Sequence, residues 1–167
     1  FPTRRSSDLV AVVNQRGSVL PQVTTNIFNM SHLQTDLDDV VGHVHAQHPA
    51  ARLYLVGFSM GASVALRFAA TSPRAPLIKA VATVGNPFDF YRAAQTAYQL
   101  RNALYGNFLM QNMRRRILHN APAIRRFQEE RGVALDLAAV VKARTAFDLD
   151  DRFSRHVYAE FRSAEEY

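Results

Sequence analysis

The residues best suited to chemistry are Gly57-Phe-Ser-Met-Gly61, a serine flanked at two residues on each side by glycine. An apolar run, Arg52-Leu-Tyr-Leu-Val56, stands immediately before it, and a small-residue stretch, Ala62 to Ala70, immediately after. A chain that turns this sharply from strand into helix holds the central serine in a strained conformation at the sheet's carboxyl edge and exposes its hydroxyl. The spacing predicts that the residues two before and two after approach too closely for side chains, hence Gly57 and Gly61. Ser59 is then a candidate nucleophile toward a carbonyl carbon. The backbone N–H of Met60, at the helix N-terminus, points to where an oxyanion would form.

A serine alone is a weak nucleophile. It needs a histidine base, and that histidine needs an orienting carboxylate. After a turn of this kind the chain order is serine, acid, histidine. The histidines that follow Ser59 are His119 and His156. The first lies in an Arg-rich helical stretch and the second in a charged terminal segment, and neither follows a strand. The expectation is that the acid and the base lie outside these residues. The second oxyanion N–H, from a loop after an earlier strand, is expected before residue 9. The plainer alternative makes Ser59 an ordinary turn serine in a non-catalytic scaffold.

The elements around this turn follow from hydrophobic pattern. Leu9-Val-Ala-Val-Val13 is a β-branched apolar run closed by the turn signal Asn14-Gln-Arg-Gly17, as a strand buried on both faces of a parallel sheet would read. Residues 18–34 read as loop. Leu37, Val40, Val41 and Val44 repeat at helical spacing, with Thr35, Asp36, Asp38 and Asp39 suited to the helix N-terminus and His48-Pro49 ending it. Arg52–Val56 and Leu77–Val84 read as further buried strands, the latter closed by Gly85-Asn86-Pro87. Alternating strands and helices predict an α/β fold with a parallel sheet and right-handed crossovers. From about residue 88 to 145 the pattern is helical, broken at Gly106, Pro122 and Gly132, and reads as a helical cap inserted over the sheet.

Composition sets outer bounds. The chain has 167 residues, 48% of them hydrophobic, enough for one domain with a core and against disorder. No apolar run is long enough to cross a membrane. The absence of cysteine excludes disulfides and thiolate metal sites. The net charge of +6 permits an anionic partner without demanding one. Residues 1–9, Phe-Pro-Thr-Arg-Arg-Ser-Ser-Asp-Leu, resemble translated sequencing adapter and are set aside, leaving residues 10–167 as a partial domain. That partial chain is expected to be unstable and inactive, its sheet missing strands on both sides.

Four segments occur in order: Asn14-Gln-Arg-Gly17, Thr35-Asp-Leu-Asp-Asp-Val-Val-Gly-His-Val-His45, Gly57-Phe-Ser-Met-Gly61 and Ala143-Arg-Thr-Ala-Phe-Asp-Leu-Asp-Asp-Arg-Phe153. Together they resemble the α/β-hydrolase subgroup of membrane-associated phospholipid and acylglycerol hydrolases, which includes the medium-chain ethyl-ester synthase/esterases. Ala62 departs from a pattern that often carries a second glycine there. The resemblance implies a partial α/β-hydrolase fold and a serine esterase or lipase acting on a small-molecule ester or lipid. It implies Ser59 as nucleophile, Met60 as an oxyanion donor, and no cofactor. An acyltransferase on the same fold is the alternative activity, and a non-catalytic binding scaffold the alternative class. A membrane anchor before residue 10 and a cytoplasmic location both stay open.

Other clusters are weaker. His43, His45 and His48 lack a spacing that faces all three one way, so a solvated or capping role is preferred to a metal site. Arg16 reads as a structural arginine paired with an acid such as Asp36, ahead of a ligand-binding role. Arg114-Arg115-Arg116, with Arg125 and Arg126, reads first as a solvated helix face, then as a contact for anionic lipid. No nucleic-acid motif accompanies it, so nucleic acid is not expected as a partner. The apolar residues among 98–113 read as packed core of the insertion, in part lining an acyl pocket.

Overall fold

A computed structural model gives the fold, and it describes residues 9–14, 33–97, 99, 102–154 and 156. Residues 1–8, Gln15-Arg16-Gly17, the segment expected to be loop up to residue 32, Tyr98 and residues 157–167 lie outside the described residues.

The sheet region is built as the hydrophobic spacing requires. Helix α1 spans Leu33–Gln47, and its Leu37 and Val41, one turn apart, are buried against Phe68 of helix α2, Met60–Thr71. The helix starts two residues ahead of Thr35, so Thr35 sits inside its first turn instead of capping it. Strand β1, Leu53–Phe58, and strand β2, Ile78–Val84, pair in parallel from Leu53↔Ile78 to Phe58↔Val84. Leu53, Leu55 and Ile78 point into the Leu37–Val41–Phe68 cluster. Phe68 is fully buried, and truncating such a side chain to alanine costs about 3–5 kcal/mol.

Two bonds to one carboxylate fasten the helices together. The Ser72 hydroxyl and the Arg74 guanidinium both donate to Asp38 of α1. Gly42, one turn further along α1, leaves room for that arginine: a Cβ there would lie 2.8 Å from Arg74 Nε. The partner expected for Asp36, Arg16, lies outside the described residues.

Two expectations fail here. Leu9–Val13 forms no strand; Leu9, Val10 and Val12 are more than two-thirds exposed. A β-branched run becomes a strand only when a neighbouring edge satisfies its backbone, and β1 and β2 pair only with each other among the described residues. Nor are β1 and β2 buried on both faces: α1 and α2 cover one, while Tyr54, Val56, Phe58 and Val84 are exposed.

Beyond β2 the described chain is helical: α3 Phe90–Ala97, α4 Ala103–His119, α5 Ala121–Arg131, α6 Leu137–Val140, α7 Ala146–Leu149 and a π turn over Asp150–Ser154. Gly106 does not break α4. It lies buried inside the helix, where close packing outweighs its poor helix propensity. Pro122 opens α5 at a position where its missing N–H costs nothing, and Gly132 ends it at φ 63°. Asp136 caps α6, accepting from the N–H groups of Ala138 and Ala139. Thr145 accepts from the Asp148 N–H at 3.1 Å, and the Asp148 carboxylate accepts from the Arg144 N–H at 2.9 Å, so α7 starts with a reciprocal cap.

These helices enclose a second core of Met110, Ile117, Ala123, Ile124, Val140, Leu149 and Phe153 and their neighbours. It shares no residue with the cluster under the sheet. Within it, burial pushes the Asp150 carboxyl up to about 6, against a smaller lowering by the Ser154 hydroxyl, which donates to it at 2.6 Å. Asp148 goes the other way. Its burial would raise it, but the Arg144 N–H and the Arg152 guanidinium together bring it below the usual carboxylate value.

Candidate active site

Strand β1 ends at Phe58 and helix α2 begins at Met60, leaving a single residue to make the turn. That residue is Ser59, at φ 50° and ψ −124°. It is the non-glycine residue with positive φ among the described residues. Such a conformation costs of order 1–3 kcal/mol and persists only where its surroundings impose it. Here the Ser59 N–H donates to the Val84 carbonyl at 2.9 Å, tying the turn to the end of β2, and the Ser59 carbonyl accepts from the Ala62 N–H at 2.9 Å. The side chain is solvent-exposed. The Met60 N–H belongs to the first turn of α2, whose N–H groups have no partner within the helix and carry its positive dipole end.

The flanking glycines divide. A Cβ on Gly57 would lie 2.7 Å from the Ala62 Cα and from the Gly61 carbonyl carbon, and closer still to the Gly61 oxygen. These are backbone atoms and cannot swing aside. A Cβ on Gly61 would meet nothing within 4 Å. The expectation that both glycines are sterically required therefore holds for Gly57 and fails for Gly61: the close approach is of residue 61's backbone to residue 57. Ala62, fully buried, is accommodated without strain on φ.

Two residues around the turn were not singled out from sequence. The Ser63 hydroxyl donates to Asn86 Oδ1 at 2.6 Å, joining the first turn of α2 to the loop after β2. A polar residue one helical turn after the serine, and an asparagine between Gly85 and Pro87, are the only sequence signs of it.

Neither later histidine is brought to this turn by a strand. His119 closes α4 with its Nε2 buried and unbonded. His156 is exposed and lines an open depression of about 200 Å³ with Asp136, Asp151 and Arg152, which Ser59 does not share. Asp89, just past β2, is engaged locally: its carboxylate accepts from the Arg92 N–H at 2.9 Å and pairs with the Arg92 side chain. Among the described residues no three His, Cys, Asp or Glu side chains are grouped to hold a metal.

The arginine triplet is not one solvated face. Arg114 is half-buried and donates to the Ala143 carbonyl, Arg116 is half-buried, and only Arg115 is exposed. Half-burial follows from helical geometry, since three consecutive residues point in three directions. The apolar residues of this stretch also divide: Met110 is buried and Met113 packs on the second core, whereas Leu104, Tyr105 and Phe108 are exposed.

A parallel strand pair under two helices, with a serine in a strained strand-to-helix turn, defines an α/β hydrolase. The chain belongs to the family described as serine aminopeptidase, S33 (Hydrolase_4), whose model matches residues 9–144. It is 29% identical over 83 residues to a monoacylglycerol lipase of Saccharomyces cerevisiae (50% of this chain, 18% of the relative). It is 28% identical over 145 residues to the embryogenesis-associated protein EMB8 of Picea glauca (86% and 31%). To the medium-chain fatty acid ethyl ester synthase/esterase 2 of S. cerevisiae it is 31% identical over 86 residues (51% and 19%). The chain thus spans 18% to 31% of the length of these relatives. No solved structure matches it significantly.

Proposed function

We propose that this chain carries the nucleophile of a serine hydrolase that cleaves carboxylic esters of lipid-like substrates. Ser59 Oγ attacks the ester carbonyl, the alcohol departs, and the acyl group stays on the serine until water releases it as the acid. The Met60 N–H donates to the oxyanion, strengthened by the N-terminus of α2. In this reading the base and its orienting acid come from beyond these residues, since His119 closes helix α4 and neither it nor His156 follows a strand of the described residues. No cofactor enters this chemistry.

One observation carries the reading: the φ of 50° at Ser59, between a parallel strand and a helix. A turn serine without a task has no reason to hold a conformation that glycine would adopt freely. Ester in preference to peptide is supported by the names of the two yeast relatives, a lipase and an ester synthase/esterase. The exposed Phe58, at the carboxyl end of β1, and Phe88, in the loop after β2, suit an acyl chain.

The test is covalent labelling of the complete polypeptide containing these residues with a fluorophosphonate probe, followed by peptide mapping. Labelling at Ser59 that vanishes in Ser59→Ala is expected; a folded protein that does not label refutes the nucleophile. Turnover of p-nitrophenyl esters against aminoacyl p-nitroanilides then separates esterase from aminopeptidase. Added ethanol separates hydrolysis from acyl transfer, since a transferase makes new ester ahead of free acid.

A further inference from the structure

We propose that Ser63 and Asn86 are positioning residues for Ser59, closing a ring that holds the nucleophile turn in its strained conformation; the inference rests, for its catalytic consequence, on the reading of Ser59 above.

The ring has two hydrogen-bonded links and two short covalent arms. The Ser59 N–H donates to the Val84 carbonyl, and the Ser63 hydroxyl donates to Asn86 Oδ1. Along α2, Ser63 is four residues after Ser59, one turn further on the same face. Along the other arm, Asn86 is two residues after Val84, and Gly85 between them has φ 63°, a turn that any other residue would adopt under strain. That turn brings Asn86 back toward α2 instead of onward from the strand.

A single bond between Ser59 and Val84 would be a pivot, about which the turn could relax toward an unstrained φ. A second bond one helical turn away removes that freedom, because rotation about the first now breaks the second. Over-determination of this kind is what a strained residue requires. The second link spans 23 residues in sequence and is partly buried, so it is shielded from competition with water. Neither side chain acts on substrate in this scheme; their part is to fix where Ser59 Oγ stands.

The test needs no turnover. Amide hydrogen exchange is read on the complete polypeptide that contains these residues and on its Ser63→Ala, Ser63→Thr, Asn86→Leu and Asn86→Asp variants, with α4 and α5 amides as an internal record of folding. Ser63→Ala and Asn86→Leu are expected each to speed exchange at the Ser59 amide about tenfold, the loss of one bond in a shared network. The α4 and α5 amides should stay within about twofold of the parent. Ser63→Thr keeps the hydroxyl and Asn86→Asp keeps the acceptor, so both should exchange at the parent rate. The double variant Ser63→Ala/Asn86→Leu should be no faster than either single. A Ser59 amide unmoved in both truncations, or as fast in Ser63→Thr as in Ser63→Ala, overturns the proposal. Fluorophosphonate labelling of the same variants in the complete polypeptide is a separate arm. A parent that never labels refutes the nucleophile, while the exchange data still decide the ring.

Discussion

Replacing Gly57 and Gly61 in turn by alanine asks the same chemical question twice and should receive opposite answers. At residue 57 the new Cβ lies 2.7 Å from two backbone carbons, where ordinary contact begins at 3.4 Å. Helix α2 or strand β1 must therefore retreat by at least about 0.7 Å, and further to clear the Gly61 oxygen, and neither can do so freely. The Ala62 and Ala65 side of α2 is packed with no exposed area to yield into, and β1 is held in register by β2. Overpacking that moves backbone costs about 3 kcal/mol. For a domain of this size that lowers the melting temperature by about 6–12 °C. At residue 61 the Cβ enters open space in the first turn of a helix, where alanine is preferred to glycine by up to about 1 kcal/mol. That is a rise of about 2–4 °C. Thermal unfolding followed by circular dichroism at 222 nm measures both. Equal losses at the two positions would refute the asymmetry and restore the simpler view in which each glycine is a steric necessity.

Further outcomes follow from the same structure. Ser59→Gly removes the proposed nucleophile and also the strain at φ 50°, so it should stabilise the chain by about 1 kcal/mol in urea unfolding while abolishing labelling; destabilisation would mean that Ser59 is not strained. Asp150 has its folded value raised from 3.8 to about 6, so its contribution to stability is full below pH 3.8 and is lost as pH rises through 6. Asp150→Asn should therefore gain up to about 3 kcal/mol on the parent at pH 7.5 and almost nothing at pH 4, and a pH-independent gap would contradict the buried carboxyl. Asp38→Ala leaves Ser72 and the part-exposed Arg74 without their shared acceptor and should cost about 1–2 kcal/mol, only partly suppressed in 1 M salt; complete suppression would make the contact a plain surface ion pair.

What could be read from the residues divides along a physical line. Helix α1, both strands and the turn at Ser59 are decided by side chains close together in sequence, and the pattern placed them within a few residues. Leu9–Val13 had the composition of a strand, but pairing is a property of two segments, and composition reports only one. Gly61 looked like Gly57 because spacing is symmetric about the serine, whereas the backbone packs against only one of the two. Gly106 suggests a break because its propensity is local, whereas the burial that keeps it inside α4 is not. The charge run at Arg114 suggests a solvated side chain, but its bond is to a carbonyl 29 residues later, which no local pattern announces. Ser63 and Asn86 give no signal for the same reason: each is an ordinary residue alone, and only the fold makes them neighbours.

The separation of the two apolar clusters has a consequence for how such a chain can vary. Among the described residues none belongs to both, and α3, the first helix after β2, has no fully buried residue. Packing changes in the helical layer are therefore not transmitted through shared neighbours to the residues that hold the serine turn, and substitutions in the two should add within about 0.5 kcal/mol. A lineage could redraw the helical layer, and with it whatever shape it offers to a ligand, without renegotiating the geometry beneath Ser59. Novelty and reactivity would then sit in separate compartments of one short chain, each free to drift at its own pace.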